Sequence, residues 1–431
     1  MAGEGEKVGL KEAISIGIGG MVGGGIFAVL GLAVSLAQGG TPVSFLIAGA
    51  IALVTAYSYS KLSLVLPDRG GTVKFVNEAF GVGVLSGGIN NLLWACYIIM
   101  LSLYASAFGS YAPNLLGLFG KSIDFHLYAS AVIVVATVIN YYSIEVVGDI
   151  ESYAVTIKLV ILLAFVGVGA YGLVGNPFLG QLAPGHWESP LSLLTGGMVI
   201  FVAYEGFELI ANAAPDITNP ETNIPRAYYY SVLFVIGLYV TIAAITVGSL
   251  PFAKIATAED YVLAEAAKPM LGEIGFKIIT IAALISTFSA INASLYGGSR
   301  VSYELAEDDE LPHQFTAQLW NQPVGLLLTA VATLVAANTL ALESISTAGS
   351  TGFLLIFATV NMAGFKLRHR AEIKAPLSAL GCGACWLALA ALTTQQASDN
   401  PTGVMVAVGL ILTCFVLEAI YKGSERPRLE S

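Results

Sequence analysis

MVGGGIFAVLG, residues Met21 to Gly31, places three adjacent glycines inside an apolar run that extends from about Leu10 to Leu36. Each glycine costs about 1 kcal/mol relative to alanine in a helix interior, so three together favour a break in the backbone at that point. A seam of small residues facing a neighbouring helix, built on Gly17, Gly20 and Gly24, is the competing reading. A seam needs spaced small residues and not three adjacent ones, so the stretch is read as a membrane helix interrupted near its midplane.

The rest of the chain supports the membrane assignment. Of its 431 residues, 56% are hydrophobic and 11% charged, and the mean hydropathy is +0.77. Segments of roughly 20 apolar residues suffice to span a bilayer, and about twelve of them start near Leu10, Thr41, Val84, Phe125, Asp149, Leu191, Ala227, Gly272, Pro323, Ser344, Ala375 and Thr402. The connections are short, which leaves no room for a separate soluble domain. The expected fold class is an all-α, multi-pass integral membrane protein. MAGEGEK ahead of the first segment lacks a signal-peptide pattern, so that helix is read as retained.

Charge sets the expected orientation. With twelve spans, fourteen of the nineteen lysines and arginines fall on the side of both termini, and Lys121, Lys254, Lys268 and Lys277 fall on the other. Cytoplasmic loops carry the basic excess, so both termini are expected in the cytoplasm and the protein in the cell membrane. The net charge of −10 argues against a nucleic-acid partner. His126, His186, His313 and His369 are scattered, and Cys382 and Cys385 share one helix turn without a histidine nearby, so no metal site is expected. Neither a nucleophile–base pair nor a cofactor motif stands out, which argues against an enzyme.

A second interruption is expected five helices after the first if the chain is an inverted-repeat transporter. GGMVIFVAYEGFELIANAAPDITNPE, Gly196 to Glu221, fits, with Glu205 and Glu208 flanking Gly206 deep in the sixth span. Carboxylates at that depth are costly against lipid and are expected to face protein, water or a substrate path. In the expected orientation the outer half of the first helix aims its free N–H groups at the midplane, and the outer half of the sixth aims free carbonyls there. The first end attracts an anion and the second a cation. A small zwitterion, an α-amino acid, satisfies both.

The third interruption is Lys158 in ESYAVTIKLVILL, nine positions after Asp149 and so about 13.5 Å into a core of roughly 30 Å. A lysine stem is too short to reach the interface from there. No acidic side chain lies within one turn on the same helix, since Glu151 is seven positions away. A buried amine that exchanges its proton is a candidate proton carrier. A lysine permanently paired inside the bundle, with Glu208 for example, is the other reading.

Together these stretches resemble the amino acid–polyamine–organocation transporters. GGMVGGGIF resembles their glycine-rich first-helix break, and YEGFE followed by PDITNPETNIPRA resembles their sixth-helix break and the motif after it. LPDRGGTVKFVNEAFG and INASLYGGSRVSYELAEDDELP fit the loop after helix 2 and the end of helix 8. Lys158 is similar to the helix-5 lysine of archaeal proton-coupled and cationic-amino-acid-transporter-like members. The resemblance implies a LeuT-type fold: a tail at 1–9, five helices over 10–174, an inverted five over 191–368, two additional helices over 375–421 and a tail at 422–431.

It also implies roles. The substrate carboxylate would meet amides around Gly23, Gly24, Gly25 and Ile26. The amine would meet carbonyls of Met21, Val202, Ala203 and Glu205, with Tyr204 in the same wall. Lys158 would take the place of the second sodium ion of sodium-coupled members, donating to the carbonyl of Gly19 and to Ser286, with Glu208 as a gate or second proton site. The implied function is proton-coupled amino acid symport, with no cofactor beyond the proton. A sodium-independent amino acid or polyamine exchanger, a transporter-like sensor and a channel are the alternatives. Glu205 departs from the family pattern, which is commonly apolar there. A carboxylate at this place can recruit a cationic side chain, hold a second proton or turn away.

Overall fold

A computed structural model describes residues 7–142, 144–307, 310–311, 316–319 and 322–429, the side chains of 144–152, 319, 322 and 424–429 excepted. His313 and the side chains of Glu151, Arg426 and Arg428 therefore lie outside the described residues. The described chain is almost wholly helical. Its strands are the two-residue pair β1 (Gln318–Leu319) and β2 (Gln322–Pro323).

The first expected span is two helices, α1 (Leu10–Met21) and α2 (Gly25–Ala37), bent by 47°. Then follow α3 (Thr41–Val65), a short α4 (Thr72–Phe80), α5 (Val84–Tyr111), α6 (Lys121–Tyr142) and α7 (Ile144–Gly172). The sixth span is again broken: α8 (Pro190–Val199), a tight turn over Phe201–Tyr204, and α9 (Leu209–Ala213), with a bend of 54°. The chain continues through α10 (Pro220–Ser249), α11 (Phe252–Thr257), α12 (Val262–Glu307), α13 (Val324–Thr339), α14 (Leu342–Lys366), α15 (Ala375–Asp399) and α16 (Pro401–Leu429). Among the described residues nine helices are long and apolar enough to cross a bilayer, and the bent pairs raise this to 11. With 16 residues, α13 is the shortest of the twelve expected segments, about 24 Å at 1.5 Å per residue.

One boundary differs from the sequence reading. The fifth span begins at Ile144, five residues before Asp149, so Lys158 sits deeper along its helix than the spacing from Asp149 implied. The eighth span starts at Gly272 as expected, because Gly272 (φ +61°) kinks α12 and a residue at that φ cannot continue the α-helical ladder.

Burial sorts the helices. The apolar windows of α5 and α14 are mostly inside the bundle, while those of α6, α7, α15 and α16 keep large apolar side chains such as Val160, Leu387 and Ile420 on the outside. Such a belt suits lipid, which rewards apolar surface and supplies no hydrogen bonds. Ahead of α1, Val8 pairs with the segment after α9: its N–H donates to the Asp216 carbonyl and its carbonyl accepts from Thr218 N–H, both at 2.9 Å. The two broken spans are thereby tied at the N-terminal face.

Candidate functional site

The two breaks meet backbone to backbone. Gly206, in the positive-φ region at +115°, packs its Cα and carbonyl against Gly20, where an added Cβ would lie 2.7 Å from the Gly206 oxygen. Likewise Gly25 would carry a methyl only 3.0 Å from the Cα of Ala203. Side chains are excluded here because the space belongs to the opposite backbone. Val22, Gly23 and Gly24 are the non-helical linker, and Gly25 and Ile26 open α2. The first amide of α2 with a helical partner is Ala28, on the Gly24 carbonyl at 3.0 Å. The amides of Gly25, Ile26 and Phe27 thus form the positive end of α2.

The end of α1 presents the opposite sign, and the groups gathered there are donors. Lys158 is fully buried, and its Nζ donates to the Gly19 carbonyl at 3.1 Å. Tyr239 on α10 donates its hydroxyl to the Met21 carbonyl at 2.6 Å and lies 3.3 Å from that of Ala203. Ser286 on α12 turns its hydroxyl to the carbonyls of Gly23 and, at 3.2 Å, Val22. Lys158 and Ser286 thus flank the same break from α7 and α12, on successive pieces of its backbone.

Carbonyls of the sixth-span break are largely engaged within the protein. That of Val199 accepts from Ser346 at 2.7 Å and Ser350 at 2.9 Å, and that of Val202 accepts from Glu205 N–H at 3.2 Å. The Val202 N–H donates to Ser350 Oγ at 3.0 Å. Tyr204 sends its hydroxyl to the Phe45 carbonyl on α3 at 2.8 Å.

Glu205 and Glu208 are both buried, at 5% and 3% exposure, with their carboxyl groups against each other. One oxygen of Glu208 accepts from the Gly206 N–H at 2.8 Å, which satisfies an amide that the break leaves without a helical partner. Tyr104 on α5 donates to Glu205 Oε2 at 3.4 Å, and its ring covers Gly24. A cavity of about 580 Å³ runs from Lys11 and Glu12 at the N-terminal face to Glu205, Gly20 and Tyr104. A second, of about 690 Å³, ends at Glu208, with Arg69, Asp216 and Arg300 along it. Tyr104 lines that first cavity and lies against Gly23 and Gly24.

The pattern of the amino acid permease family matches residues 8–421 of this chain. The chain belongs to the amino acid permease family. Its relatives include the uncharacterized protein MJ0609 of Methanocaldococcus jannaschii, 33% identical over 84% of this chain and 83% of the relative. The inner membrane transport protein YbaT of Escherichia coli is 30% identical, covering 97% and 96% of the two chains. L-asparagine permease 1 of Mycobacterium tuberculosis is 28% identical, covering 96% and 91%. The family and the last two relatives are transporters by name and not enzymes, which agrees with the sequence reading.

Three residues of the permease's site were missed in the sequence: Tyr239, Tyr104 and Ser350. Tyr239 and Tyr104 lie in long apolar helices where an aromatic residue is unremarkable, and Ser350 is one of many small residues of α14. Only the depth of Tyr239, mid-way along α10, hinted that its hydroxyl needs a buried acceptor.

Proposed function

We propose that this permease is a proton-coupled amino acid symporter that works by alternating access, with both termini in the cytoplasm. The observation that carries the reading is the Lys158 ammonium on the Gly19 carbonyl, at the end of a helix half whose dipole favours a positive charge. A protonated amine there makes a charge-assisted bond worth about 1.5 to 3 kcal/mol, and a neutral amine makes a weaker one. Protonation therefore biases where the end of α1 rests. The difference between the two bonds, about 1 to 1.5 kcal/mol, shifts a two-state equilibrium by about five- to thirteen-fold.

Substrate would enter with its carboxylate on the amides of Gly23 to Ile26 and its amine on the carbonyls of Met21 and Ala203, in place of the Tyr239 hydroxyl. Tyr104 has to swing off Gly24 to open that cradle. With the termini cytoplasmic, both cavities would open inward while the Gly19 bond is in place. The bond therefore positions α1 and does not by itself seal the inner path.

Uptake of labelled alanine into proteoliposomes, driven by an inward proton gradient, tests the scheme. Lys158→Ala is expected to abolish gradient-driven accumulation while leaving exchange across equal pH measurable. Accumulation that persists unchanged in the variant contradicts the proposed role.

A further inference from the structure

Glu205 has no part in the proton cycle proposed above, yet its side chain ends one of the two paths to the break from the N-terminal face. Its carboxyl is hydrogen-bonded to that of Glu208, and the pair receives few other donors. Glu208 Oε1 is buried and has no hydrogen-bond donor among the described residues, its other oxygen being held by the Gly206 amide. Glu205 receives the Tyr104 hydroxyl at the long distance of 3.4 Å. Buried carboxyl oxygens without donors are costly, so the arrangement favours a ligand that brings N–H groups and positive charge.

The surroundings define the shape of that ligand. The 580 Å³ cavity is walled near Glu205 by Leu209, Ala290 and Ala293. Apolar walls suit the methylene stem of a long cationic side chain, whose head alone is polar. Lys11 and Glu12 at the mouth carry one charge of each sign, so the deep carboxyl sets the sign of the path. A methyl group on Gly23 would lie 3.5 Å from the Tyr104 hydroxyl, which places Glu205 one hydroxyl away from the glycine cradle, within the reach of a side chain.

We propose that Glu205, backed by Glu208, receives the cationic side chain of a basic amino acid, lysine, arginine or ornithine, whose backbone groups sit at the break. The assignment rests on the amino-acid reading above and names the substrate class within it.

Equilibrium binding to detergent-purified protein tests it without involving transport. Norleucine is the ligand-side control, since it has the lysine chain without the terminal amine. Lysine is expected to bind about ten-fold more tightly than norleucine to the wild type, as one charge-assisted contact implies. In Glu205→Gln that ratio should collapse toward one, and in Glu205→Asp, which keeps the charge, most of it should remain. Lysine binding no tighter than norleucine in the wild type overturns the inference without recourse to any variant. So does a ratio that Glu205→Gln leaves intact. If neither alanine, norleucine nor lysine binds, the amino-acid reading falls as well, whereas alanine binding without a preference for lysine removes this inference alone.

Discussion

Tyr239 and Met21 are joined by a 2.6 Å hydrogen bond from a phenol on α10 to the last carbonyl of α1, and the same hydroxyl lies 3.3 Å from the carbonyl of Ala203. One side chain thereby touches both breaks at the place where a substrate amine is proposed to bind. Tyr239→Phe removes the donor and leaves a buried carbonyl unmet, which costs about 1 to 3 kcal/mol. The ligand-free variant is expected to melt at a lower temperature than the wild type. Saturating substrate should recover part of the loss, because its ammonium can take over the carbonyls and binding to the folded state alone stabilises it. A larger substrate-induced shift in the variant than in the wild type is the expected result, and equal shifts would show that the phenol and the amine do not share acceptors.

Gly20 and Gly206 allow the two spans to touch through bare backbone. Gly20→Ala inserts a methyl 2.7 Å from the Gly206 carbonyl oxygen, an atom that cannot rotate away, so the breaks must part. Overpacking of this kind costs about 1 to 3 kcal/mol. Gly237→Ala is the control, because it lies within α10 with open space around its Cβ position. Alanine there is expected to be neutral or to stabilise by about 0.4 to 1 kcal/mol. Melting followed by size-exclusion chromatography separates the two outcomes.

The breaks were legible in the sequence because they violate a local rule: adjacent glycines in Gly23 to Gly25 and paired carboxylates around Gly206 conflict with a lipid-embedded helix. Lys158 was legible for the same reason. What could not be read was where ordinary residues point. Ser286, expected beside the Lys158 amine, turns its hydroxyl to the Gly23 and Val22 carbonyls, and the Val202 carbonyl, expected to meet substrate, is taken by the Glu205 amide. Both outcomes depend on how the linker of each break curls, Val22 to Gly24 in one and Ile200 to Glu208 in the other, and such irregular linkers carry no periodicity to reveal that. The short α11 escaped for a related reason, since six residues cannot show an apolar stripe, whereas α4 carries one in Val73, Phe75, Val76 and Ala79, inside the stretch read as the loop after helix 2.

Asn361 holds a buried polar hub away from the breaks. Its Nδ2 donates to Thr55 at 3.0 Å and to the Phe357 carbonyl at 2.9 Å, while its Oδ1 accepts from Ser58 at 2.7 Å. Ser378 adds a 2.6 Å bond to the Asn361 carbonyl, so α3, α14 and α15 are fastened together. Asn361→Ala takes one hydrogen-bond partner each from Thr55 and Ser58, which keep Cys385 and Ser378, and is expected to cost about 2 to 4 kcal/mol, as loss of part of a buried network does. The expected signature is lower yield and melting temperature with unchanged relative affinities among substrates. Altered selectivity would instead tie this hub to the site.

Ser286 and Lys158 grip consecutive parts of one break, and their chemistry separates their contributions. A serine hydroxyl keeps its proton throughout the physiological range, so Ser286→Ala removes a hydrogen bond worth about 1 kcal/mol without removing a titrating group. Uptake is expected to slow by about five-fold, the equivalent of that energy, at acid and neutral external pH alike. Lys158→Ala should instead flatten the pH dependence itself if the amine is the proton carrier proposed above. In the double variant the uptake rate should match that of Lys158→Ala within about two-fold if the serine acts only by steadying the linker that the lysine positions, and fall by the product of the two losses if they act independently. Initial rates at two external pH values, in all four proteins, decide between coupling and independence.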